Sequence, residues 1–113
     1  MDEVNQLSGK KSTVAETFLS ALVDNGIEYV FANGGTDFAP IIEALVVSAQ
    51  AGSSIPEFIT VPHENVAIAM AEGYYRISGK PAAVMVHVTV GTANTICGVM
   101  NASRDNVPIL VLA

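Results

Sequence analysis

The sequence predicts an α/β fold, an open and mostly parallel sheet with helices on both faces. Three observations carry that expectation. Runs such as "AAVMVHV" and "VPILVLA" are continuously apolar rather than alternating, the pattern of strands covered on both sides. Each run is separated from the next by a stretch with helical spacing, so successive strands need crossovers and pair in parallel. Glycine-bearing turns punctuate the change from one period to the other.

Taken in order, residues 1–12, "MDEVNQLSGKKS", lack periodicity and predict a mobile arm, leaving 13–113 as the domain. A helix begins near Thr13, with Glu16 three residues later as in a capping box. Val14, Ala15, Phe18, Leu19, Leu22 and Val23 form its apolar stripe, and "DNG" stops it at Gly26. "IEYVFA" is the first strand, broken by "NGGTDFAP", and a second helix runs from about Asp37 to Gln50. "EFITV" is the second strand, His63 to Ile77 the third helix, and "SGKP" a turn. "AAVMVHV" is the third strand, "VGTANTICGVMNASRD" a helix opened by glycine, and "VPILVLA" the fourth strand. The result is a Rossmann-like or flavodoxin-like topology, expected to be truncated after the fourth strand because no covering helix follows it.

The totals narrow the function. Half of the 113 residues are hydrophobic and 14% are charged, against about 25% charged in a typical soluble domain. A chain of this size buries only about two-thirds of what it exposes on unfolding, so some apolar surface is expected at an interface. The net charge of −6, with five Lys and Arg, gives no electrostatic footprint for nucleic acid or an anionic membrane. No apolar run approaches the roughly 20 residues of a membrane span, and no signal peptide opens the chain. A cytoplasmic location is the resulting expectation. The lone Cys97 cannot form an internal disulfide, and its small, apolar neighbours predict an inert packed thiol.

In open parallel sheets ligands gather beyond the carboxyl ends of the strands. Three junctions fall there: "FANGGTD", "TVPHEN" and "VHVTVGTANT". They bring together Asn33, Gly34, Gly35, Thr36, His63, Glu64, His87, Thr89, Gly91, Thr92 and Asn94. The glycines permit close backbone approach to a flat ligand, and the hydroxyls and amide can orient it. Neither "NGGTD" nor "GTANT" is a phosphate-binding loop, and Asp37 would repel an anion. Glu64 has an ordinary explanation as a carboxylate in the first turn of a helix. His63 and His87 have equally ordinary ones in packing and hydrogen bonding, and Tyr74 and Tyr75 fall on a core-facing stripe with Met70 and Ala71.

"GIEYVFANGGTDFAP", "VPHENVAIAMAEGYYRISGKPA" and "VHVTVGTANTICGVMNASRDNVPILVLA", in that order from about Thr13 to the last residue, resemble the pyrimidine-binding domain of thiamine diphosphate-dependent enzymes. The nearest likeness is to the acetolactate synthase and benzoylformate decarboxylase group. The resemblance implies that Glu64 hydrogen-bonds ring nitrogen N1′ of the cofactor's aminopyrimidine and exchanges a proton with it, so that the thiazolium C2 proton can be removed. Burial is expected to raise the carboxyl pKa and keep that proton available. The resemblance also implies that Gly34, Gly35 and Gly91 lie against the pyrimidine. It matches His87 to a histidine that benzoylformate decarboxylases place near the substrate, and Thr36 to their substrate-contacting serine. Acetolactate synthases tend to carry Thr or Ser at the position of His87, and the family usually has proline at that of Gly34.

The family binds the diphosphate through Mg2+ with a "GDG…N" motif in another domain, and no such motif occurs here. The expectation is therefore the cofactor-activating part of a 2-oxo acid decarboxylase or acetolactate synthase-like enzyme. It would be inactive without a pyrophosphate-binding domain or subunit as partner, and would form homo-oligomers. One alternative is a non-catalytic α/β interaction subunit that keeps the fold and dimerises through its apolar surface. Another is a flavodoxin-like module for a different flat ligand, disfavoured by the missing phosphate loop.

Overall fold

A computed structural model describes residues 11–113. Residues 1–10 of the expected N-terminal arm lie outside the described residues. The first helix, α1 (Val14–Asp24), starts at the predicted capping box. Thr13 Oγ1 accepts from the Glu16 N–H at 3.1 Å, while Glu16 Oε2 accepts from the Thr13 N–H at 2.6 Å. Caps of this kind contribute about 1 kcal/mol by satisfying otherwise orphaned donors.

Four parallel strands follow, β1 (Tyr29–Ala32), β2 (Glu57–Thr60), β3 (Ala82–Met85) and β4 (Ile109–Leu112), in the order β2-β1-β3-β4. The register pairs Phe31 with Ile59 and Val84, and Val84 with Val111. Three helices connect them: α2 (Ala39–Gln50), α3 (Glu64–Ser78) and α4 (Val88–Arg104). α1 packs on α2, while α3 packs on α4 and against β1, β3 and β4.

Side chains divide by the two-residue period of the strands. Phe31, Val84 and Val86 point to the face covered by α3, where they meet Ala67, Ile68 and Ala71. Val30 and Ala83 point to the other face and meet Leu22 of α1 and the loop residue Ile27. Val30, Ile68 and Val84 are completely buried, each worth about 1.5–3 kcal/mol in transfer from water. The molecule is thus α/β, with helices on both faces of a parallel sheet, as expected. The edge strand β4 is less protected: Leu110 stays 41% exposed, because no helix among the described residues lies over that side of it.

Several boundaries differ from the expectation, chiefly those after β1 and β3. Residues 36–38 form a 3-10 turn before α2 rather than its first turn. Pro40 stands at the start of α2, where its missing N–H costs no helical bond. β3 ends at Met85, and α4 begins at Val88 instead of Val90, with Gly91 N–H already bonding His87 O at 2.8 Å. The β-branched run "VHVTV" has strand propensity, but the neighbouring strands end at Ala32 and Leu112, so the ladder has no further partners. Cys97 is also a correction. It is exposed, because α4 packs through Gly91, Thr95 and Ala102 and turns the face bearing Cys97 to solvent.

Candidate functional site

The strand order places a topological switch between β1 and β3. From β1 the chain leaves through α2 toward β2, and from β3 through α4 toward β4. Connections diverging to opposite sides open a crevice at the carboxyl edge. That edge is tied together by backbone and amide bonds. Asn33 N–H donates to Met85 O at 2.9 Å and Asn33 Nδ2 to Val61 O at 2.8 Å, linking the ends of β1, β3 and β2.

Glu64 occupies the first turn of α3, after a cap in which His63 Nδ1 accepts from the Asn65 N–H at 3.1 Å. Its side chain is buried to 7% exposure, unusual for a carboxylate. Asn94 of α4 donates from Nδ2 to Glu64 Oε2 at 3.1 Å. The carboxyl is held below its ordinary value, first by a hydrogen bond from its own backbone N–H, with the Asn94 amide and His63 adding to the effect. Burial pushes the other way and does not prevail. The expected upward shift is thus corrected. At a helix N-terminus the free N–H groups favour the ionised form more than the loss of water disfavours it.

His87 and the "NGGTD" turn meet across the switch point. His87 Nδ1 lies 2.6 Å from Asp37 Oδ1. Gly35 forms the bed of this pair: a Cβ there would overlap the His87 ring and stand 2.7 Å from Asp37 Oδ1. Gly34 carries no such constraint, since a Cβ would meet only the Phe38 ring at 3.7 Å. Gly91 is buried, and its missing side chain makes room for Val86, whose Cβ would be 2.8 Å away. Thr36 opens the 3-10 turn and is exposed.

The carboxyl edge therefore gathers Gly34, Gly35 and Thr36 beside His87. Glu64 is reached from α4 through Asn94. Two residues whose contacts the sequence did not reveal are Asn94 and Asp37. Their partners lie 30 and 50 residues away along the chain, and only the crossover topology brings them together. A hollow bordered by Glu16, Ser20, Asp24 and Ser48 lies between α1 and α2, away from this edge. Among the described residues no group of three or more His, Cys, Asp or Glu could hold a metal ion, and no helix is long and apolar enough to cross a membrane.

A four-stranded parallel sheet with a buried carboxylate and a glycine-rich switch point defines a cofactor-binding α/β domain. Residues 12–113 match the sequence model of the thiamine pyrophosphate enzyme N-terminal TPP-binding domain, and the chain belongs to that family. It is 36% identical over 104 residues to the acetolactate synthase large subunit of Haemophilus influenzae, covering 92% of this chain and 17% of that protein. It is 32% identical over 108 residues to acetolactate synthase of Bacillus subtilis, covering 96% of this chain and 18% of that one. A solved structure from Mycobacterium smegmatis, described as a thiamin diphosphate-dependent enzyme, superposes with a TM-score of 0.74 at 27% identity over 89% of this chain and 18% of that chain. The chain thus spans less than a fifth of the length of these relatives.

Proposed function

We propose that the chain acts as the aminopyrimidine-activating part of an enzyme working on 2-oxo acids. When bound, thiamine diphosphate supplies carbon-nucleophile chemistry toward a carbonyl. Glu64 exchanges a proton with N1′ of the aminopyrimidine. The donor set suits such an exchange, with a carboxyl sheltered from water and its Oε2 steered by the Asn94 amide. This arrangement is the single observation that carries the reading. A glutamine at position 64 could hydrogen-bond a ring nitrogen but could not move a proton.

Gly34 and Gly35 present backbone at the edge where a flat ring would stack. Gly91 has the same proposed role, although its lack of a side chain already has an internal use against Val86. Thr36 offers an exposed hydroxyl to the substrate, and His87 a proton-exchanging imidazole. Mg2+ and the diphosphate would be held by a further domain or subunit, without which the chain is inactive. Apolar residues exposed along α4, including Val90 at 66%, Ile96 at 49% and Met100 at 50%, support association with such a partner or with a second copy. The proposed setting is cytoplasmic.

Titration with thiamine diphosphate in the presence and absence of a pyrophosphate-binding partner chain, followed by sedimentation, tests this. Cofactor retained only by the mixed complex is the expected result. Dimers that form without the partner and ignore the cofactor would replace the proposal with a non-catalytic interaction subunit.

A further inference from the structure

Asp37 has no place in the proposed function, yet its carboxylate meets the His87 ring at 2.6 Å. An ionised carboxylate only accepts hydrogen bonds, so the hydrogen in this contact belongs to Nδ1. In the neutral ring the lone pair then sits on Nε2. We propose that Asp37 is a positioning residue that fixes His87 in the Nδ1–H tautomer and leaves Nε2 as the basic nitrogen at the β1–β3 crevice.

Two further features surround the pair. Gly35 leaves the space in which the ring and the carboxylate meet, and any side chain there would drive them apart. Val88, the residue after His87, has φ 34, a region that β-branched residues avoid and that persists only where surrounding contacts impose it. The kink turns the chain from β3 into α4 directly after the imidazole-bearing residue. Strand end, glycine bed and carboxylate together engage Nδ1, the nitrogen on the opposite side of the ring from Nε2.

The consequence for chemistry rests on the proposed function: Nε2 would exchange a proton with a bound 2-oxo acid substrate. The imidazolium formed would keep its Nδ1–H bonded to Asp37, whose charge balances it. The tautomer itself is independent of that reading and can be measured without cofactor or partner.

The chain has two histidines, which provide an internal comparison. His63 Nδ1 accepts from the Asn65 N–H, so His63 must be the Nε2–H tautomer. Long-range proton–nitrogen spectra of the chain with 15N-labelled imidazoles, above the pH at which both rings are neutral, should show opposite tautomers at the two sites. In D37A the His87 ratio of Nδ1–H to Nε2–H should fall by about tenfold or more, the scale of a lost hydrogen bond to a charged group. G35A should act in the same direction, and His63 should be unchanged in both. D37N, which keeps an oxygen acceptor, should give an intermediate ratio. A wild-type His87 already in the Nε2–H form, or one indifferent to D37A in a folded variant, would overturn the proposal. The wild-type spectrum alone decides it if a variant does not fold. Failure of the proposed function would instead appear in measurements made with cofactor, the titration and the E64Q comparison.

Discussion

Glu64 and Asn94 are 30 residues apart and meet at 3.1 Å because α3 and α4 pack side by side. The downward shift of the Glu64 carboxyl, set first by its own backbone N–H and then by Asn94, has a stability consequence. Because the folded value lies below the ordinary 4.5, protons bind the unfolded chain more readily over the acidic range. The contribution of Glu64 is complete above that ordinary value and is lost as pH falls through the folded value. E64Q should therefore flatten the acid limb of a plot of urea midpoint against pH, on the side below the ordinary carboxyl value of 4.5. Glu28 is lowered as well, first by its hydrogen bond from Lys80 and then by the one from Tyr74, so E28Q should remove a separate part of the same limb. At this scale the sequence disclosed the acid at residue 64 and the imidazole at residue 87, since both follow apolar runs. It did not disclose what holds them. A carboxyl at a helix start reads the same whether its N–H donors or its burial prevails, and only the geometry decides.

The glycines in and after α3 and α4 stand in different surroundings. Gly79 closes α3 with φ 72, a conformation that a side chain resists. Gly98 of α4 faces α3: a Cβ there would lie 2.6 Å from Ile68 Cγ2 and 2.9 Å from Asn65 Oδ1. G98A should push the two helices apart at a cost of about 1–3 kcal/mol, the usual range for overpacking. Gly73 sits inside α3 on its exposed side, with nothing within 4 Å of an added Cβ. G73A should stabilise by about 0.5–1 kcal/mol through helix propensity. Opposite shifts in chemical-denaturation midpoint for two glycine-to-alanine changes in adjacent helices check this directly. Element order, type and the Thr13 cap were legible from period and punctuation. The end of β3 was not, because "VHVTV" has strand chemistry and only the length of its neighbours stops it.

For the molecule as a whole, the alternation of apolar runs and helical stretches was enough to give a parallel sheet covered on both faces. The strand order β2-β1-β3-β4 needed the structure, and with it the switch point that joins Asp37 to His87. Exposed apolar residues on α4 and at Leu110 agree with the surplus read from composition, since a chain this short cannot cover every side of a sheet. The central claim is that Glu64 moves a proton at the aminopyrimidine, and the exchange of the cofactor's C2 proton with deuterium tests it most directly. The measurement belongs in a protein where this chain is joined to or paired with a diphosphate-binding domain. With cofactor bound, E64Q should slow the exchange by about 10²–10⁴-fold, the range for general acid–base catalysis. An exchange rate unchanged by E64Q at full cofactor occupancy would contradict it.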